Sequence, residues 1–314
     1  MKIVLDYDAR LFVAQRLAEL ERENLHVTCA PENYRESFLA ELADAEVLWH
    51  VLQPVTAEQI AAAPRLRLIQ KIGVGVNTID LEAAKARGIA VCNMPGTNTR
   101  AVAEMTLLLM LGALRRIAFL DSNLRAGGAW SLDREVQAGF GEIGGRVVGL
   151  VGYGAIPEML TPVLQALGAR VVYWTRQPKP EAAAEWRSLD DLLGKSDIVS
   201  LHLPLVPETE RLLDARRLAQ MKPGAILINT ARGALVDEAA LVQSLKSGPL
   251  SAAGLDVFAR EPMPADHPLF ALPNVVLAPH VAWLTPETWR RSVDIGAENC
   301  RRLGAGRELL HRVI

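Results

Sequence analysis

An α/β fold built on parallel sheets is the class this sequence predicts, and three observations predict it. Short apolar runs of strand length alternate with segments of helical apolar spacing along nearly the whole chain. The stretch Val147–Arg176, VVGLVGYGAIPEMLTPVLQALGARVVYWTR, condenses that alternation into strand, glycine turn, helix and strand. A chain of 314 residues also suffices for about two domains.

Composition narrows the function classes. Half of the residues are hydrophobic, ample for large cores, and the formal net charge of −2 argues against a nucleic-acid partner. Cys29, Cys92 and Cys300 are scattered without a CxxC pair, so neither a disulfide framework nor a zinc site is suggested. The opening MKIVLDYDAR reads as a strand and lacks the long apolar core of a signal peptide. No apolar run approaches membrane-spanning length. The expectation is a cytoplasmic protein with no membrane partner and no metal.

The first 92 residues read as a small α/β domain. Lys2–Leu5, His26–Cys29 and Val47–Val51 are strands, with helices over Leu11–Leu20 and Ser37–Leu42. Thr56 caps a helix running through Ala63, with Glu58 in its first turn. Arg67–Ile72 is a strand that ends in Gly73-Val74-Gly75-Val76-Asn77, and Ala90–Cys92 is another. Two glycines after a strand let backbone N–H groups face an anion, although a plain strand–helix turn reads equally well here.

From Asn98 the character changes. Thr99-Arg100-Ala101-Val102-Ala103-Glu104 runs into Met105–Leu114, apolar all round, which predicts a helix buried on most sides, between domains or in a dimer interface. Glu104 inside it is expected to satisfy a backbone or arginine partner. Gly127–Trp130 and Gly139–Gly145 form a loop-rich connection, where Trp130 either closes a partner's site or, more simply, packs locally.

The unit at Val147–Arg176 is the first half of a dinucleotide-binding fold. Gly152 allows the tight turn, and Gly154 lets backbone approach a pyrophosphate with no Cβ between. The helix beginning there offers N–H groups, those of Ala155 and Ile156, and a positive dipole end. The third glycine of GxGxxG is Pro157. A first-turn proline forfeits no intrahelical bond, but its bulk predicts a shifted helix start and weaker cofactor binding. The tip of the second strand carries Thr175-Arg176, where an NAD site places Asp or Glu. With no carboxylate to repel a 2′-phosphate and a guanidinium to bind one, NADP is preferred over NAD.

Strand–helix repeats continue to the end of this domain. Strands over Ile198–Leu201, Ala225–Asn229, Ala252–Val257 and Val275–Ala278 alternate with helices over Leu189–Leu193, Asp214–Gln220 and Glu238–Lys246. His202, Arg232, Asp256 and His280 all fall at strand ends, where open parallel sheets bind ligands.

INTARGALVDEAAL, GLDVFAREP, APHVAW, the early GVGVNTIDL and the helix TRAVAEMTLLL resemble the D-isomer-specific 2-hydroxyacid dehydrogenase family over about Val47–Asn299, with the motifs in the family's order along the chain. The look is that of its glyoxylate/hydroxypyruvate reductase branch. The resemblance implies two Rossmann-like α/β domains. A doubly wound cofactor domain (99–283) is inserted into a smaller flavodoxin-like substrate domain (1–98 plus 284–314). It implies hinges near Pro95–Asn98 and Trp283–Glu287, with domain closure on substrate, and a homodimer. It also implies Arg232, Glu261 and His280 as the catalytic set. A histidine can protonate a carbonyl oxygen near neutral pH, a carboxylate can orient the imidazole, and an arginine can hold the substrate carboxylate.

By the same resemblance Val74, Gly75 and Val76 grip the substrate carboxylate with Arg232 and His280, and Trp283 roofs it. Leu203, Thr230, Ala231, Arg232, Asp256, His280 and Trp283 line the nicotinamide side, with Asp256 on the carboxamide. Thr175 and Arg176 face the adenosine ribose. The implied reaction is hydride transfer from NADPH, or NADH, to a small 2-oxo acid such as glyoxylate or hydroxypyruvate. One alternative is an NAD-dependent dehydrogenase of another D-2-hydroxy acid, for which Leu52 and its apolar loop leave room. The other is a dinucleotide-sensing, corepressor-like protein, suggested by Pro157 and opposed by the complete Arg232–Glu261–His280 set.

Overall fold

The computed structural model describes residues 1–30, 35–128 and 130–314. Ala129, part of the loop expected at Gly127–Trp130, lies outside the described residues. The chain divides into two compact units, Met1–Asn98 with Trp283–Ile314, and Thr99–Ala282. Both are parallel-sheet α/β structures, the fold class the sequence predicts.

The first unit carries β1 (Lys2–Leu5), β2 (His26–Cys29), β3 (Val47–His50), β4 (Leu68–Lys71) and β5 (Ala90–Cys92). Helices α1 (Arg10–Arg22), α2 (Arg35–Ala43), α3 (Ala57–Ala61) and α4 (Leu81–Ala86) connect them. The strand order is β2-β1-β3-β4-β5, a flavodoxin-like winding. β3 and β4 are buried along their whole length, as central parallel strands covered on both faces must be. Thr56 and Gln59 cap α3 reciprocally: each side chain accepts from the other's backbone N–H.

In the second unit α5 (Thr99–Leu114), α6 (Ile117–Arg125) and α7 (Arg134–Ala138) lead into a parallel sheet. Its elements are β6 (Val147–Val151), α8 (Ala155–Ala166), β7 (Arg170–Trp174), β8 (Glu185–Trp186), α9 (Leu189–Lys195), β9 (Ile198–Leu201) and α10 (Ala215–Ala219). After these come β10 (Ala225–Asn229), α11 (Glu238–Ser247), β11 (Leu250–Leu255) and β12 (Val275–Leu277). The order β12-β11-β10-β9-β6-β7-β8 is doubly wound, and the winding reverses between β6 and β9. The crevice beyond the carboxyl ends of those two strands is therefore the natural ligand site. The chain then returns to the first unit as α12 (Pro286–Gly304), capped by Thr285 and lying against α1 with Trp289, Val293 and Ala297 buried.

α5 is buried on most sides, with Leu109, Met110 and Ala113 facing the core, and a single stripe faces outward, where Leu108 is 59% exposed and Leu111 40%. Three expectations are corrected here. Glu104 is exposed on that outer face and makes no ion pair or hydrogen bond among the described residues. The helix after the glycine turn is not shifted, because α8 begins at Ala155, directly after its N-cap Gly154, and Pro157 fits its first turn. Glu158 N–H bonds Gly154 O at 3.0 Å, so the proline interrupts nothing. Trp130 is 91% exposed and does not pack locally.

Candidate active site

The glycine turn is built as the pyrophosphate reading requires. Gly152 has φ +97°, and a Cβ there would lie 2.4 Å from His202 O, so β6 and β9 approach too closely for any side chain. At Gly154 a Cβ would meet nothing within 4 Å, which leaves a cradle beside the helix terminus. The first-turn N–H groups of Ala155 and Ile156 have no intrahelical acceptor, and Pro157 has no N–H to offer. Tyr153, between the glycines, is buried, with its hydroxyl on Thr161 Oγ1 at 3.0 Å and its ring against Tyr173.

The loop after β7 is held by three side chains. Tyr173 Oη accepts from Lys179 N at 2.7 Å and donates to Lys179 O at 3.1 Å. Thr175 Oγ1 donates to Gln177 O at 2.6 Å, and Trp186 Nε1 donates to Thr175 O at 3.0 Å. Trp186 comes from β8, a two-residue strand too short to read from pattern. Arg176 projects from this ordered loop into solvent and makes no ion pair among the described residues.

At the far strand ends the sequence-separated motifs meet. His280 Nδ1 lies 2.6 Å from Glu261 Oε2, and Glu261 Oε1 accepts from Phe258 N at 2.9 Å. Burial pushes the Glu261 carboxyl up, but the His280 hydrogen bond and charge, Phe258 N–H and the Arg232 guanidinium outweigh it and leave the group below its ordinary range. Arg232 donates to Ala231 O at 2.7 Å, and burial pulls its guanidinium down against the opposing charge of Glu261. Asn229 shapes this loop, donating to Arg232 O at 2.9 Å and accepting from Ala231 N at 3.0 Å. Ala231 is half-buried, and Thr230 is buried with its hydroxyl 2.9 Å from Thr106 Oγ1.

Asp256 fixes the histidine loop. Its two carboxylate oxygens accept from Val281 N and Ala282 N, each at 2.9 Å, and its carbonyl accepts from His280 N at 2.7 Å. His280 itself sits at φ +56°, left-handed backbone that a non-glycine residue holds only under outside support. Burial raises the Asp256 carboxyl, partly offset by those N–H donors. A carboxamide placed on Asp256 would share oxygens already engaged. Leu203 lies over Gly152, and beside it His202 is driven down to about 3 by burial, so it stays neutral near pH 7.

The first unit holds the other expected residues. Val74 is exposed and Gly75 and Val76 are half-buried in the loop after β4. Trp283, expected over the substrate, is buried, with its ring edge-on to Tyr7 and Trp289 at 6.1 and 5.4 Å between centroids.

The family profile for D-isomer specific 2-hydroxyacid dehydrogenase, NAD binding domain, matches residues 107–282. The chain belongs to the D-isomer specific 2-hydroxyacid dehydrogenase family. These are enzymes acting on CH–OH donors with NAD or NADP. A glyoxylate reductase of Aeropyrum pernix is 41% identical over 281 residues, covering 87% of this chain and 84% of that one. A D-3-phosphoglycerate dehydrogenase of Mycobacterium leprae is 43% identical over 277 residues, but this chain spans only 52% of its length. The crystal structure of a glyoxylate reductase from Paecilomyes thermophila superposes with a TM-score of 0.84 at 31% identity, covering 100% of this chain and 98% of that one.

Within this family setting the second unit fits a dinucleotide, on the open cradle at Gly154 and the unpaired first-turn N–H groups. Sequence reasoning missed Asn229, Gly233 and the clamping role of Asp256. Asn229 stood inside a quoted motif, yet only the folded loop reveals its two bonds. Among the described residues no cluster of three His, Cys, Asp or Glu could hold a metal, and no helix is long and apolar enough to cross a membrane.

Proposed function

We propose that this protein reduces small 2-oxo acids, glyoxylate or hydroxypyruvate first, to the corresponding 2-hydroxy acids, with NADPH preferred. The His280–Glu261 hydrogen bond of 2.6 Å carries the reading, because reduction of a carbonyl needs a positioned proton donor. With Nδ1 committed to Glu261, proton delivery to the carbonyl oxygen falls to Nε2. The carboxylate sets the ring's orientation and stabilises its charged form. Arg232 holds the substrate carboxylate and polarises the carbonyl with its N–H donors. Val74–Val76 offer backbone N–H groups to the same kind of anion.

Gly152, Gly154, Ala155 and Ile156 would hold the pyrophosphate, and Thr175 and Arg176 the adenosine end. Leu203, Thr230, Ala231 and Asp256 would lie toward the nicotinamide. When bound, the dinucleotide supplies the hydride taken up by the carbonyl carbon. The preference for NADPH rests on a β7 tip that carries an exposed Arg176 and no carboxylate. A homodimer is part of the reading, supported by the outward Leu108 and Leu111 of α5, as is a cytoplasmic location.

A second reading, an NAD-dependent dehydrogenase of another D-2-hydroxy acid, is favoured by the 43% identity to a D-3-phosphoglycerate dehydrogenase. Steady-state oxidation of NADPH and NADH with glyoxylate and with hydroxypyruvate separates the two. NADPH preference that collapses in Arg176→Ala is the expected outcome. Turnover with NADH alone would establish the second reading.

A further inference from the structure

We propose that a buried relay, Asp6–His50–Thr78, together with Asn93, holds the Gly73–Thr78 loop so that its N–H groups face the substrate carboxylate. These are positioning residues, and the proposal rests on the reading of Val74–Val76 given above. The His50 imidazole is fully buried at the end of β3, with Nδ1 2.6 Å from Asp6 Oδ2 and Nε2 2.8 Å from Thr78 Oγ1. The second Asp6 oxygen accepts from Val51 N at 2.6 Å. The charged groups facing His50 are Asp6 and Lys71, and Lys71 donates to Val51 O.

The hydrogen positions follow from chemistry. An ionised carboxylate only accepts, so the hydrogen between Asp6 and His50 sits on Nδ1. Burial, helped by the Lys71 charge and opposed by Asp6, lowers the imidazole's proton affinity and keeps the ring neutral. Nε2 is then an acceptor, and the Thr78 hydroxyl must donate to it. Each hydrogen in the relay points toward Asp6, and Thr78 has one rotamer that satisfies the chain.

The consequence lies in the loop's carbonyls. Thr78 O accepts from Val55 N at 2.8 Å, Val76 O from Ile79 N at 3.0 Å, and Gly73 O from Met94 N at 2.8 Å. Val74 O accepts from the Asn93 side-chain amide at 2.9 Å. Four carbonyls that would repel an anion are thus turned onto the protein. The N–H groups of Val74, Gly75 and Val76 donate to no acceptor among the described residues. Gly73, at φ +135°, supplies the backbone reversal that makes this division possible. Stability does not explain the relay, since buried polar groups satisfied by one another are commonly no more stable than apolar residues of similar volume. It ends on the loop's hydroxyl, where it fixes position.

The test compares Thr78→Val, Thr78→Ser and Asn93→Ala with wild type. It measures glyoxylate KM and kcat with NADPH, NADPH Kd, and oxalate binding to the NADPH-loaded enzyme by calorimetry. Thr78→Val should raise both the glyoxylate KM and the oxalate Kd about tenfold, the cost of one lost hydrogen bond to a buried group. kcat and NADPH Kd should stay within about twofold, and Thr78→Ser should restore KM. Asn93→Ala, which removes a half-buried amide, should shift KM the same way by about threefold. Unchanged KM and oxalate Kd, a loss falling on kcat or NADPH Kd, or failure of Thr78→Ser to rescue would each overturn the relay. Wild type that neither reduces glyoxylate nor binds oxalate would overturn the underlying reading as well. Wild type that does both, with variants like itself, overturns the relay alone.

Discussion

A Cβ on Gly233 would lie 1.9 Å from the carbonyl carbon of Phe258. That contact seats the Arg232 loop directly on the Phe258–Glu261 segment, which is why the guanidinium feels the Glu261 charge. The quoted motifs named Arg232, Glu261 and His280 from their order along the chain. They could not show Gly233's contact, the Asn229 bonds or the Asp256 clamp, because each depends on two loops meeting in space. His202 allows a residue-scale prediction. Its ordinary pKa of 6.5 falls to about 3 in the folded protein through burial, so the unfolded chain takes up the proton first. This contribution to stability is intact above about pH 6.5 and declines as pH falls toward the folded value. Buried His50 acts in the same direction. Thermal denaturation from neutral to acid pH should therefore show a falling Tm, with a shallower fall in His202→Asn. Parallel curves for variant and wild type would contradict the assignment.

At the scale of elements, the strands were legible because buried parallel strands are continuous apolar runs. β10 is mainly of this kind, whereas β4 buries Gln70 and Lys71 along with its apolar residues, and the glycine turn with α8 was legible by chemistry. α4, α6, α7, β8 and α12 escaped. β8 is two residues long and carries no period, and α12 follows a Thr285-Pro286-Glu287 start whose helix signal went unused. α8 also contains Pro162, which the helix tolerates in its interior because Leu160, Thr161 and Leu164 are buried against the unit's core. Its missing N–H leaves Glu158 O without an intrahelical donor, a defect costing roughly 3 kcal/mol relative to alanine in an unconstrained helix. Pro162→Ala should stabilise the protein by about 1–3 kcal/mol in urea denaturation, with little effect on KM for either substrate. A destabilised Pro162→Ala would show that the proline's ring packing outweighs the lost bond.

For the whole molecule, the alternation of strand and helix patterns was enough to predict two α/β folds, and the sheet orders agree. What periodicity could not provide was which face of α5 is outward, since apolar residues encircle it. Leu108 and Leu111, exposed on α5, with Ile117 and Leu124 exposed on α6, give an apolar surface suited to a second copy of the chain. Light scattering should find about twice the 34.2 kDa chain mass, and Leu108→Glu should shift it to the monomer. A wild-type monomer would refute the dimer.

The most direct measurement of the central claim is steady-state NADPH and NADH oxidation with glyoxylate and hydroxypyruvate, on wild type, Arg176→Ala and His280→Gln. The account predicts NADPH-preferring reduction in wild type and loss of that preference in Arg176→Ala. In His280→Gln, kcat should fall at least about a hundredfold with NADPH Kd unchanged, the size expected for losing a positioned proton donor. Wild-type rates retained by His280→Gln would contradict it.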